Sequence, residues 1–126
     1  MKVAYSTSPI IAKDCINLIY FLDGTKATYV SRQVEMDSAF TKIRVDLDLC
    51  LPSGTAAKVY YMLPDVSSSW VELTNPTVSV VNTEFSRYEW NVTGVSATKY
   101  RVKIVLETVN PLVRPRASRL INILIS

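Results

Sequence analysis

The sequence contains no histidine, two cysteines and only three glycines among its 126 residues. The absence of histidine removes the commonest general base of enzymes and the commonest zinc ligand. Two cysteines, Cys15 and Cys50, are too few for a four-thiolate metal site or a disulfide framework, and we interpret both as ordinary thiols. No glycine-rich phosphate loop is present. We therefore predict a protein that is not an enzyme, with no catalytic residue, no cofactor and no metal site.

Long hydrophobic runs are also missing. The longest, Ile16–Leu22 and Leu120–Ile125, fall far short of the roughly 20 residues that a transmembrane helix requires, so we expect no membrane insertion. The N-terminus lacks the continuous apolar core of a signal peptide, which indicates synthesis in a reducing cytoplasm. Apolar residues make up 48% of the sequence and charged residues 20%, as is typical of one globular domain. We expect that domain to span residues 1–126, with residues 1–13 as an irregular N-terminal arm.

The strongest pattern is an alternation of apolar and polar side chains with period two. Between Thr41 and Leu51 the odd positions are aliphatic, and four of the even positions are charged. Successive side chains of a strand point to opposite faces, so this segment is predicted to be a half-buried strand. The aliphatic positions are Ile43, Val45, Leu47, Leu49 and Leu51. Ala57–Leu63 and Lys99–Glu107 alternate in the same way.

Shorter strands are predicted between turn residues along the rest of the chain. They are Ala27–Met36, Trp70–Leu73, Thr77–Val81, Glu84–Val92 and Leu120–Ile125, with Ile16–Leu22 either a strand or part of a short helix. The turns are predicted at Asp23-Gly24, Pro52-Ser53-Gly54, Pro64-Asp65, Asn75-Pro76, Asn82, Gly94 and Asn110-Pro111. About eight or nine short strands without a clear amphipathic helix predict an all-β fold. One apolar face per strand favours an antiparallel two-sheet β-sandwich over a closed barrel.

Two carboxylates lie close together on the polar face of the Thr41–Leu51 strand. Asp46 and Asp48 are two residues apart, near enough to share a cation, but basic residues continue the same face. We interpret them as part of an exposed face of mixed charge. A calcium site would need more oxygen ligands, for which Asp65 and Ser67–Ser69 are available in the following turn. That alternative stays open.

Positive charge is concentrated at the C-terminal end. Residues 99–126 hold six Lys/Arg and one acidic residue, whereas residues 1–98 hold eight and ten. The basic residues either keep the edge of a sheet soluble or dock an acidic partner, and we predict partner contacts at Arg114, Arg116 and Arg119. Nucleic acid is not expected to bind, because no aromatic stacking platform accompanies these charges.

Exposed aromatic rings are a second candidate binding feature, since sugars stack on flat rings. Tyr60 lies on the polar side of its predicted strand, and we predict that Tyr60 and Trp70 contact a ligand or a partner. Tyr88 and Trp90 share one face of Glu84–Val92, which favours packing in the core.

Seven segments between residues 26 and 124 resemble, in their order and spacing, a module of tailed-bacteriophage structural proteins. The segments are Ala27-Thr-Tyr-Val-Ser-Arg-Gln-Val, Phe40 with Ile43-Arg-Val-Asp-Leu-Asp, Pro52 with Ala57-Lys-Val-Tyr-Tyr, Trp70-Val-Glu-Leu, Phe85-Ser-Arg-Tyr-Glu-Trp, Tyr100-Arg-Val-Lys-Ile-Val-Leu and Pro115-Arg-Ala-Ser-Arg-Leu. The resemblance implies a jelly-roll-like β-sandwich and a non-enzymatic virion component of a tail, baseplate or fibre. The protein would be made in the host cytoplasm and located in the virion.

Such a component is expected to bind other virion proteins and to form a symmetric homo-oligomer. The first 22 residues and Leu120–Ile125 are candidate subunit contacts, unless both are ordinary strands of the same sheet. Two other functions stay open. One is a glycan-binding module that recognises a host surface, and the other is a capsid decoration protein.

Overall fold

A computed structural model of the chain describes the backbone of residues 2–3 and 10–14 and all of residues 25–126. Nine strands form in this part of the chain, and no helix does. They are β1 (Lys2–Val3), β2 (Ile10–Asp14), β3 (Lys26–Val30), β4 (Val34–Cys50), β5 (Thr55–Met62), β6 (Val71–Glu72), β7 (Thr77–Val80), β8 (Ser86–Thr108) and β9 (Arg116–Ile125). The predicted all-β class is confirmed. Cys15, the segment Ile16–Leu22 and the turn Asp23-Gly24 lie outside the described residues.

The strands pair into two sheets that share the long strand β8. In the first sheet the order is β2-β9-β4-β8-β7, and residues 86–100 of β8 pair with β4. In the second sheet the order is β3-β8-β5-β6, and residues 101–108 of β8 pair with β5. All these pairings are antiparallel, and the short β1 pairs with β4 in parallel. Strand β8 therefore belongs to both sheets, and the strand pairing is continuous from β2 to β6.

A single hydrophobic cluster takes side chains from both sheets. In β4 the predicted inward positions Ile43, Val45, Leu47 and Leu49 are all buried. In the second half of β8 the alternate residues Tyr100, Val102, Ile104 and Leu106 are fully buried. Burying such a side chain contributes about 1.5–3 kcal/mol before the cost in conformational entropy. The period-two pattern of the sequence is thus the pattern of the core.

Strand β8 runs through a position where the sequence predicts a turn. Gly94 does not separate the predicted strands Glu84–Val92 and Lys99–Glu107, because one strand of 23 residues runs from Ser86 to Thr108 through Gly94. Gly94 has a φ of 74°, and the register with β4 shifts between Thr93 and Ala97. Glycine adopts positive φ without a steric penalty, so it forms an irregularity in the strand rather than its end.

A second difference concerns Ala27–Met36, which is two strands rather than one. Residues 31–33 separate β3 from β4 and take the chain from the second sheet to the first. At Ser31 the pairing with β8 changes. The Ser31 amide still donates to the carbonyl of Val102 at 2.9 Å, but the amide of Val102 donates to the Ser31 hydroxyl at 2.9 Å. A side-chain oxygen has replaced a strand carbonyl at this position.

Both ends of the chain belong to the first sheet. The predicted irregular arm contains β1 and most of β2, and β2 pairs with β9. Leu120–Ile125 lies in β9, between β2 and β4, with Leu120 and Leu124 buried. Leu120–Ile125 is therefore an ordinary strand of this sheet, and its contact with another subunit stays a prediction.

Candidate functional site

Tyr60 and Trp70 lie together on the outer face of the second sheet. The register of β5 places Tyr60 opposite Lys103 of β8, and Trp70 directly precedes β6, the neighbour of β5. The Lys103 ammonium lies 4.6 Å from the centre of the Tyr60 ring and 4.9 Å from the centre of the Trp70 ring. One cation therefore contacts two aromatic rings, each about half-buried.

Arg101 adds a second positive charge beside these rings. Its guanidinium lies 5.9 Å from the centre of the Trp70 ring. Its Nε and Nη2 each donate to the carbonyl oxygen of the buried Ser31 at 3.1 Å. These bonds hold the side chain in place. We call Tyr60, Trp70, Arg101 and Lys103 the aromatic–basic cluster.

The charge of the aromatic–basic cluster is not neutralised by the acids of the described residues. Neither Arg101 nor Lys103 makes an ion pair with any of them. The nearest acid in the strand register is Glu72, which is exposed and lies opposite Tyr60. A cation against an aromatic face contributes about 0.5–2 kcal/mol. The rings thus orient two cations that have no ion-pair partner among the described residues.

The three predicted contact arginines of the C-terminal region have other neighbours. Arg116 pairs with Glu84, and its guanidinium lies 5.1 Å from the centre of the Phe85 ring. Its hydrogen bonds to Glu84 and Cys50 raise the pKa of Arg116. Arg114 donates to the carbonyl of Pro111 at 3.3 Å within the same loop. These contacts do not bring Arg114 or Arg116 to the aromatic–basic cluster, and their contact with a partner stays a prediction.

Arg119 is the additional residue of a bulge in β9. The register changes from Leu47 opposite Leu120 to Asp48 opposite Ser118, which leaves Arg119 without an opposite residue. Its φ is 36°, in the left-handed region that residues other than glycine rarely adopt. The bulge directs an exposed guanidinium away from the regular ladder. Its role in partner contact also stays a prediction.

Asp46 and Asp48 are buried, with 8% and 6% of their surface exposed. Arg44 contacts both carboxylate oxygens of Asp46, at 3.1 and 3.2 Å. Arg87 does the same for Asp48, at 2.8 and 3.1 Å, and this hydrogen bond raises the pKa of Arg87. The interpretation of an exposed mixed-charge face is wrong for these two acids, because two guanidinium groups cover them.

The open alternative of a calcium site finds no support in this geometry. Asp65 accepts hydrogen bonds from the backbone and hydroxyl of Thr98 at 2.8 and 3.0 Å, and from the Lys99 amide at 3.3 Å. It therefore fixes the turn after β5 to β8 and does not join Asp46 and Asp48. Across residues 25–126 and the two short N-terminal strands, no group of three His, Cys, Asp or Glu side chains could hold a metal ion.

Two of the remaining aromatic residues pack at the inner face of the first sheet, as predicted. Tyr88 and Trp90 stack with their ring centres 6.0 Å apart, and Trp90 is buried. Both line a cavity of about 270 Å³ at the side of the molecule where β6 and β7 are connected. The other apolar residues that line the cavity are Leu49, Leu51, Ala57, Val59, Leu73 and Pro76.

The aromatic–basic cluster was only partly predictable from the sequence. Tyr60 and Trp70 could be selected as aromatic residues outside the core pattern. Lys103 and Arg101 were recognised as basic residues of the C-terminal region, but nothing in the sequence placed them against these rings. The strand register between β5 and β8 does so.

The described part of the chain has no helix that is long and apolar enough to cross a membrane.

This arrangement of strands also occurs in proteins that form viral particles. The fold is similar to the crystal structure of the VP2 subviral particle of infectious bursal disease virus, with a TM-score of 0.52 and 13% sequence identity. That similarity covers 93% of this chain and 32% of the VP2 chain. The structure of the Gx strain of the same virus has a TM-score of 0.52 and 13% identity, covering 94% of this chain.

The chain spans about a third of the length of those two viral proteins, since 32% of each is covered. At this level of identity, the similarity concerns the fold. No protein-family model matches the sequence, and no curated protein sequence matches it either.

Proposed function

We propose that this chain is a non-enzymatic structural domain of a virus particle. The observation that carries the proposal is the similarity of fold, over 93% of the chain, to the VP2 subviral particle. The use of the buried acidic groups supports it, because Arg44 covers Asp46 and Arg87 of β8 binds Asp48 of β4. Carboxylates that are covered in this way stabilise a rigid fold and are not available to substrates.

Within a particle, we assign the chain to a tail, baseplate or fibre of a tailed bacteriophage. This narrower assignment is supported by the resemblance of residues 26–124 to a module of such proteins. A capsid decoration protein is the alternative within the same class. In each case the chain binds other virion proteins and is located in the virion.

The aromatic–basic cluster is the surface that we assign to a neighbouring virion protein. Lys103 and Arg101 supply two positive charges, and Tyr60 and Trp70 supply apolar area around them. Aromatic and arginine side chains are frequent energetic centres of protein interfaces. The matching surface on the neighbour carries Asp or Glu.

The particle proposal is tested by locating the protein in its natural source. Particles are banded on a density gradient and probed with an antibody raised against the purified chain. We expect the chain to band with the particles in a fixed ratio to the other particle proteins. A chain that stays with the soluble proteins at the top of the gradient overturns the proposal.

The docking surface is tested in the same gradient with charge variants. Lys103→Gln and Arg101→Gln are expected to lower the amount of chain in the particle band. Lys42→Gln, which removes an exposed charge from the first sheet, is the matched control and is expected to incorporate normally. Equal incorporation of all three variants would assign the contact to another surface.

A glycan-binding module is the second candidate, because two half-exposed rings share one face of the molecule. The adjoining cations favour an acidic sugar. Calorimetric titration with sialyllactose, with lactose as the neutral control, tests this candidate. A heat of binding with sialyllactose but not with lactose would support glycan recognition, provided that Lys103→Gln abolishes it. No heat from either sugar would eliminate this candidate.

A further inference from the structure

Strand β7 forms an unprotected edge of the first sheet. Among the described strands it pairs with β8 alone, through a regular register from Thr77 opposite Glu89 to Val80 opposite Ser86. Its sequence, Thr-Val-Ser-Val, contains no charge and no proline. Natural sheets usually protect an edge with a charged residue, a proline, a bulge or a very short strand.

The other four edge strands among the described residues carry such protection. Strands β1 and β6 have only two residues each, with Lys2 in β1 and Glu72 in β6. Strand β2 contains Lys13 and Asp14, and β3 begins with Lys26. By contrast, the eleven residues from Leu73 to Thr83 include no charged side chain. The edge at β7 therefore lacks a charged residue that would prevent another strand from pairing with it.

The side chains of β7 leave apolar surface uncovered on the inner side of the sheet. Val78 lies opposite Tyr88 and Val80 opposite Ser86, so both point to the side on which Trp90 is buried. They are nevertheless 51% and 81% exposed. The second sheet does not extend over them. A strand paired with β7 would place its own side chains beside them on this face.

The backbone direction of β7 is set by its pairing with β8. The amide of Val81 donates to the carbonyl of Phe85 at 3.1 Å, which makes these two residues a hydrogen-bonded pair. Because such pairs alternate along an antiparallel ladder, the backbone groups of Val78 and Val80 point away from β8. The open edge thus offers two residues with outward amide and carbonyl groups.

We propose that β7 pairs in antiparallel fashion with β7 of a second copy of this chain, about a twofold axis at Ser79. This register places Val78 opposite the partner's Val80, and the partner's Val78 opposite Val80. The outward backbone groups then form four hydrogen bonds between the copies, and the valines cover one another. Because residues 73–83 are uncharged, no like charges meet at the axis.

The second copy is the occupant that this edge fits best, because the sequence around Ser79 is self-complementary. Uncharged β-branched residues lie on both sides of Ser79, so each meets a similar residue across the axis. The pairing of one short strand buries less than a standard interface. We therefore expect a weak dimer that forms at a chain concentration on the order of 100 μM. This inference concerns an edge of the fold and does not rest on the virus-particle role.

Light scattering over a dilution series tests the pairing with two matched variants. Val80→Lys places a charge on the β7 edge, whereas Val109→Lys places one on a loop at a valine of similar exposure, 85% compared with 81%. Wild type and Val109→Lys are expected to reach the mass of two chains, and Val80→Lys to remain a monomer. A wild-type monomer at every concentration overturns the proposal, as does a Val80→Lys dimer.

Cross-linking tests the register without relying on the stability of a lysine variant. In a Cys15→Ser/Cys50→Ser background, Ser79→Cys places two thiols at the twofold axis, about 4.5 Å apart between Cα atoms. Thr77→Cys, on the same face, places them about 13 Å apart. Oxidation should give a covalent dimer with Ser79→Cys only. Equal yields from both variants overturn the proposed register.

Discussion

The hydroxyl of Tyr100 donates a hydrogen bond to the side-chain oxygen of Asn122 at 2.8 Å. Both side chains are buried, and the bond joins β8 to β9, which are separated by β4 in the first sheet. Burial raises the pKa of Tyr100, and the nearby Tyr61 adds to this effect. The hydroxyl therefore stays protonated and continues to donate. An edge-to-face contact with Phe40, with ring centres 6.4 Å apart, holds the Tyr100 ring.

Tyr100→Phe is expected to destabilise the protein by about 1–3 kcal/mol, because Asn122 loses its buried partner. Urea unfolding measures the difference. Tyr88→Phe is the control and is expected to change stability by less than about 0.5 kcal/mol, because no hydrogen bond of this hydroxyl is formed within the described residues. The second change Asn122→Leu should recover part of the loss in Tyr100→Phe. Equal stability of both single variants would show that the buried hydrogen bond contributes nothing.

The contact between Arg87 and Asp48 gives a second prediction. Arg87→Gln removes the guanidinium from a carboxylate that is 6% exposed and is expected to cost about 1–3 kcal/mol at neutral pH. Arg116→Gln, which breaks an ion pair between exposed side chains, should cost much less, because solvent screens such a pair. Thermal unfolding of the two variants measures the contrast. If Arg116→Gln cost as much as Arg87→Gln, burial of the acid would not be the cause.

Gly94 gives a prediction about the backbone of β8. Gly94→Ala is expected to cost about 1–2 kcal/mol, because an L-residue is strained at positive φ. A Cβ atom at this position meets no atom within 4 Å, so the loss would come from the backbone alone. Ser96→Ala, at a neighbouring exposed position, is the control for chemical denaturation. A Gly94→Ala protein as stable as the control would mean that the strand adopts another conformation there.

Asp65 gives a prediction about pH. Burial raises its pKa, but the hydrogen bonds from Thr98 and Lys99 outweigh burial and lower the pKa below the ordinary value of an aspartate. The stabilisation by these bonds is therefore present above that value and is lost as the pH falls through the lowered pKa. Asp65 is exposed, so solvent screening limits the contribution to about 1 kcal/mol or less.

The pH dependence is measured by urea unfolding of wild type and Asp65→Asn. Wild type should be the more stable at neutral pH, and the difference should shrink in acid. Glu72→Gln is the control for an exposed carboxylate in β6. A difference between wild type and Asp65→Asn that stays constant into acid would contradict the assigned hydrogen bonds.

The sequence predicts the position and the buried face of the long strands well, because apolar and polar residues alternate within each of them. Ile43 to Leu49 and Tyr100 to Leu106 alternate as their burial requires. It does not predict contacts that depend on which strands are neighbours. Asp48 meets Arg87 across 39 positions of sequence, and Lys103 reaches Tyr60 only through the β5–β8 register. The turn predicted at Gly94 was wrong, because glycine adopts positive φ both in turns and in irregular positions within a strand.

Strand β8 has a mechanical consequence for the whole domain. Its 23 residues form hydrogen-bonded ladders with β4 and β7 at one end and with β3 and β5 at the other. Neither sheet can unfold without disrupting a strand that also belongs to the other sheet. A force applied to one sheet is transmitted to the other through the backbone of β8. The two sheets are therefore expected to unfold together in one cooperative transition.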